Sequence, residues 1–181
     1  MSSVPKAFEK LLNDYFNQFF TSHPADATYV GLTSGEGQFN TATLPALRRQ
    51  HRLRQAALVK LDTIAPSALS NEQNLDRLAF RARLLRECED FERGRHTLNP
   101  HGLDEIFDFL LREIQRGETE PKRAAKNIRS LLSETPRYLI QATKLITRPE
   151  RVWRDIMDGA FKASDSFFDA IASFLKNNGN E

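Results

Sequence analysis

The sequence has one cysteine, Cys88, so no disulfide can form within the chain. That fits a reducing compartment, and a cytoplasmic location is the expectation. The opening stretch MSSVPKAFEK lacks the apolar core of a secretory leader. Uninterrupted apolar runs are far too short to span a bilayer, so no membrane partner is expected. The four histidines are His23, His51, His96 and His101, and no two lie three or four apart. An H-E-x-x-H zinc motif is therefore missing, and His96 and His101 are separated by an expected loop through Pro100. Nor is there a G-x-S-x-G elbow, a phosphate-binding loop or a dinucleotide glycine fingerprint. No catalytic, cofactor-binding or metal-binding residue is assigned, and this chain alone is not expected to be an enzyme.

A global charge bias is also missing. The net charge is +2, and no nucleic-acid motif or aromatic stacking residue interleaves with the basic positions, so no nucleic-acid partner is expected. The charge is unevenly placed: residues 71–120 balance to −4 and residues 121–154 to +7. Solvated or mutually facing surfaces account for that. The run RRQHRLR at 48–54 spreads around a helix, with Arg48 and Arg52 on one side and Arg54 elsewhere, and is read as solvated. The cluster ECEDFE at 87–92 places Cys88 on the apolar side with Leu84 and Phe91, as a buried structural thiol.

What the sequence does have is a helical hydrophobic period almost everywhere and no sustained period of two. With 181 residues, 40% of them hydrophobic and thirteen of them Phe, the chain is long enough for one helical domain across 1–181 with a phenylalanine-rich interior. The expected fold is all-α, an antiparallel bundle of about six to eight helices without a sheet. Phe8, Leu11, Leu12, Tyr15, Phe16, Phe19 and Phe20 form the apolar stripe of a first helix. Thr43 opens a helix to about Asp62. Ser70 and Gln73 have capping-box spacing and open another to about Arg93, with Gly94 just past its end. In that helix Arg83/Glu87, Arg86/Asp90 and Glu89/Arg93 are spaced for ion pairs on a solvated face. Leu103 to Ile114 form a shorter helix, Pro121 starts another, and Thr135-Pro136 caps a further one. A long closing helix carries Trp153 to Leu175, with Thr147 and Glu150 as its capping box and Pro149 in its first turn. The tail at 177–181 is expected to fray.

Between the first two apolar stretches lies TSHPADATYVGL, residues 21–32, read as a structural corner. Pro24 suits a first helical turn, Ser22 or His23 is its cap with Ser22 the better acceptor, and Asp26 complements the helix dipole. Gly31 takes the left-handed angle that ends the short helix, and Leu32 packs back onto it.

The order and spacing of these landmarks resemble a known family. FEKLLNDYFNQFF followed by HPADATYVGL, then LDTIAPSALSNEQNLDRLAFRARLL and RPERVWRDIMDGAF, is similar to the opening of the DUF885 family of bacterial proteins. The resemblance covers roughly residues 5 to 175, and P-A-x-A-T-x-x-G at Pro24–Gly31 is its most specific piece. Members of that family are much longer and look like helical zinc metallopeptidases of the HExxH type with a deep cleft. The resemblance implies that zinc and the catalytic motif belong to a downstream part of the same protein. That part would be the partner of this chain, which would wall or cover the cleft. The alternative is a stand-alone helical module that binds a protein or peptide. If a partner segment is missing, apolar faces on the closing helix (Phe161, Phe167, Phe168, Phe174) and on the first helix (Phe16, Phe19, Phe20) are uncovered and support a homodimer.

Overall fold

The computed structural model describes residues 3–98, 101–162 and 164–178, without the side chains of residues 3 and 101–104. The described residues form eight α-helices and no strand, the all-α fold that the periodicity predicts. They divide into two compact units. One comprises Met1–Ser22 with Leu44–His96, and the other His23–Thr43 with Thr97–Glu181.

The first unit is built from α1 (Ser3–Ser22), α3 (Leu44–Asp62) and α4 (Asn71–Glu92). The stripe of α1 is its keel: Phe8, Leu11, Tyr15 and Phe19 are buried with Ala57 and Leu61 of α3 and Phe80 and Leu84 of α4. Phe16 and Phe20 pack against the same core, so the first helix presents no exposed phenylalanine face. The capping box at Ser70 forms as the spacing predicts. Gln73 N–H donates to Ser70 Oγ at 3.1 Å, and Ser70 N–H donates to Gln73 Oε1 at 3.2 Å. Gly94 follows the helix at φ +70°. Cys88 is buried on the Leu84 side.

The charged face of α4 is not simply solvated. Glu87 accepts from Arg83 at 2.8 Å and, across the bundle, from Arg54 of α3 at 2.7 Å. Arg54 and Glu87 are largely buried, so the basic run on α3 is solvated at Arg48 and Arg52 but not at Arg54. Asp90 pairs with Arg95 rather than with Arg86.

The second unit holds α2 (Pro24–Tyr29), α5 (His101–Arg116), α6 (Pro121–Thr143), α7 (Arg151–Lys162) and α8 (Ser164–Asn178). Its core gathers Ile106 and Leu110 of α5, Ile128, Leu131 and Tyr138 of α6, Ile171 of α8, and Phe39 from the segment after α2. Three boundaries differ from the sequence expectation. Thr135-Pro136 does not start a new helix, because α6 runs through Pro136 to Thr143. An internal proline costs about 3 kcal/mol. Burial of Tyr138, its 4.6 Å stack on Phe39 and its hydroxyl bond to Glu105 offset that cost. The closing helix is two, α7 and α8, and Ser164 Oγ donates to the Phe161 carbonyl at 2.7 Å, competing with helical continuation. Nor does α7 start at Thr147 or Pro149. Arg148 N–H donates to Thr97 O at 3.0 Å, which ties down the bent segment before the helix opens at Arg151.

At the chain's end, Asn177 and Asn178 still belong to α8, and Asn178 Nδ2 donates to Phe174 O at 3.0 Å. The remainder of the expected frayed tail lies outside the described residues. Trp153 is half-buried, Phe167 and Phe174 are partly buried against the core, and Phe161 and Phe168 are exposed.

Candidate functional site

The corner opens the second unit. Pro24 occupies the first turn of α2 and Asp26 follows within it. The cap position falls to His23, whose side chain makes no capping bond. Ser22 Oγ donates to Phe19 O at the end of α1. The free N–H at the start of α2 is met from farther along the chain: Ala25 N–H donates to Asn40 Oδ1 at 3.2 Å, and Asn40 Nδ2 donates to Asp26 at 3.3 Å. Gly31, at φ +88°, closes the helix as expected. Leu32 N–H reaches Ala27 O at 2.9 Å and Gly31 N–H reaches Thr28 O at 3.1 Å, the paired bonds of a left-handed helix end. Leu32 itself stays largely exposed rather than packing back.

This gives a contrast that a denaturant titration checks. His23→Ala is expected to cost under ~1 kcal/mol, since its side chain caps nothing. Gly31→Val is expected to cost about 1–2 kcal/mol, since a β-branched residue resists positive φ.

The same corner walls a cleft of about 210 Å³. Ala25, Thr28 and Tyr29 of α2 form one side. Gly35, Gly37 and Gln38 supply a second side from the following segment. Phe109, Arg112, Glu113 and Arg116 of α5, with Leu131 of α6, complete it. The segment lies hard against its neighbours: a Cβ on Gly35 would stand 2.0 Å from the Pro24 carbonyl oxygen, and one on Gly37 would stand 2.9 Å from Ser130 Cβ. Only glycine allows these approaches.

Charge in and behind the cleft is organised in a chain. Glu113 is buried on the apolar stripe of α5, one turn beyond Leu110. It accepts from Asn127 Nδ2 of α6 at 3.1 Å and lies 3.5 Å from Arg116. Arg116 also donates to Glu36 at 3.0 Å, and Glu36 is gripped a second time by Arg123 of α6. The two carboxylates consequently part company. The Arg123 hydrogen bond holds Glu36 below the usual carboxylate range, whereas burial lifts Glu113 above it. At the rim the Arg112 guanidinium lies 4.2 Å from the centre of the Tyr29 ring and 5.8 Å from that of Phe109. No carboxylate among the described residues pairs with Arg112. The cleft thus offers a stacked cation at its mouth, an apolar floor and a buried carboxyl.

None of Tyr29, Arg112 or Glu113 is singled out by local sequence motifs. Glu113 carries a signal nonetheless: an acid at the place where the stripe Ile106, Leu110 calls for an apolar residue. Arg112 and Tyr29 come together only through the fold.

The histidines are otherwise employed. His51 and His96 both stack on Phe91, with ring centres 4.5 and 5.0 Å away, and burial lowers the His96 pKa. The side chain of His101 lies outside the described residues. Among the described residues no three His, Cys, Asp or Glu side chains are grouped to hold a metal ion, so those present do not fit a zinc site. No described helix is long and apolar enough to cross a membrane. No family model, curated protein or solved structure matches this chain.

Proposed function

We propose that this chain is the non-catalytic, N-terminal helical portion of a DUF885-type protein, in which the second unit walls the cleft that receives a peptide substrate. The observation that supports the reading is the cleft itself. Its furnishing suits recognition: Arg112, held against Tyr29, is placed to meet a carboxylate of a peptide, and Phe109 and Leu131 offer apolar contact. On this reading zinc and the glutamate base belong to an HExxH segment downstream, and no step of the chemistry falls on the residues described here.

A stand-alone peptide-binding module is the second reading. It draws on the fact that every residue lining the cleft comes from one unit.

Cloning the natural reading frame to its stop codon separates the two. A frame that continues past Glu181 into an HExxH segment, giving a protein that purifies with about one zinc per chain, is the expected result. A stop directly after Glu181 contradicts the first reading and leaves the module.

A further inference from the structure

The helix α4 has two apolar faces. Phe80, Leu84 and Cys88 are buried in the first unit. On the opposite side Leu75, Leu78, Ala82 and Leu85 recur at spacings of three, four and three, and the leucines are 68%, 53% and 44% exposed. Three leucines on one line are left in solvent along a 22-residue helix, with the spacing that the seam of a helix pair uses.

The charges beside that seam say what fits it. Glu72 and Arg86 lie on the same flank, both exposed, and neither makes an ion pair among the described residues. A second α4 laid parallel would put the two Glu72 side chains on opposite sides of the seam, each far along the helix from either Arg86. Turned antiparallel about a two-fold axis level with residue 80 on the outer face, it sets Leu75 against the partner subunit's Leu85 and Leu78 against the partner subunit's Ala82. It also brings Glu72 to the partner subunit's Arg86, and the two-fold axis makes that pair twice. Such a surface is complementary to itself.

We infer that the outer face of α4 is an interface between two copies of this chain, packed as an antiparallel helix pair. The leucine seam supplies the affinity, and the Glu72–Arg86 pairs, exposed at its edge, choose the orientation. This goes beyond the proposed function and does not depend on it: the cleft lies in the second unit and the seam in the first.

Sedimentation velocity on the 181-residue chain tests it. A dimer is expected at concentrations up to about 100 µM, the range of a modest interface. Leu78→Glu, at an exposed position, is expected to give a monomer with an unchanged far-UV spectrum. Glu72→Arg is expected to weaken the dimer about tenfold by facing like charges. Glu72→Arg combined with Arg86→Glu is expected to restore it, a readout that survives even if Leu78→Glu fails to fold. A monomer throughout that range overturns the inference. So does a dimer indifferent to Leu78→Glu, or one that the double charge exchange does not rescue.

Discussion

Gly35→Ala is expected to destabilise the second unit by about 3 kcal/mol, at the upper end of the range for overpacking. The added methyl would lie 2.0 Å from the Pro24 carbonyl oxygen and 2.5 Å from its carbon. Those atoms are backbone in the first turn of α2, so no side chain can swing aside to relieve the contact. Gly31→Ala is the control: it has a strained φ of +88° but nothing within 4 Å of the new methyl. It should cost only about 1 kcal/mol. Chemical denaturation monitored at the second unit checks the order of the two. Equal costs would mean that the segment over the cleft is not pressed onto α2.

Glu87→Ala is expected to cost the first unit about 3 kcal/mol, the lower end for breaking a buried ion pair. The change strands Arg54, which is largely buried, and leaves Arg83 without its acceptor while still beside the Phe19 ring at 5.3 Å. Burial alone would raise the Glu87 pKa, but the hydrogen bonds and charges of Arg83 and Arg54 outweigh it and hold the group below its ordinary value. The stabilisation is therefore complete above the unfolded carboxylate pKa and is lost as pH falls through the lower folded value. Glu87→Gln should flatten the acid limb of the stability profile below about pH 4. An acid limb as steep as that of the parent protein would remove Glu87 from the account.

The helices that depend on local rules are legible in the sequence. Ser70 and Gln73 form their box because both partners lie within one turn. Gly31 and Gly94 end their helices because left-handed angles exclude most other residues. Where a distant residue decides, sequence reasoning goes astray. Asn40 meets the Ala25 N–H at the start of α2 from fifteen residues away, where the local spacing offers only Ser22 or His23. Tyr138, anchored on Phe39 and Glu105, carries α6 across Pro136. Glu87 reads as one member of a solvated i, i+4 series because Arg54, on another helix, does not enter that pattern. The cleft shows the same limit. Tyr29 and Gly35 lie far from Arg112 in the chain, and although the corner at 21–32 stands out in the sequence, only Glu113, a charge on an apolar stripe, points from α5 to the place.

On the proposed reading, the second unit presents a peptide-recognition wall. Amide chemical shifts of the labelled 181-residue chain, followed while tri-alanine is added, test it most directly. Shifts that saturate at Tyr29, Gly35, Gly37, Arg112 and Glu113 and that vanish in Arg112→Ala are the expected result. No saturating shifts, or shifts confined to residues of the first unit, would contradict it.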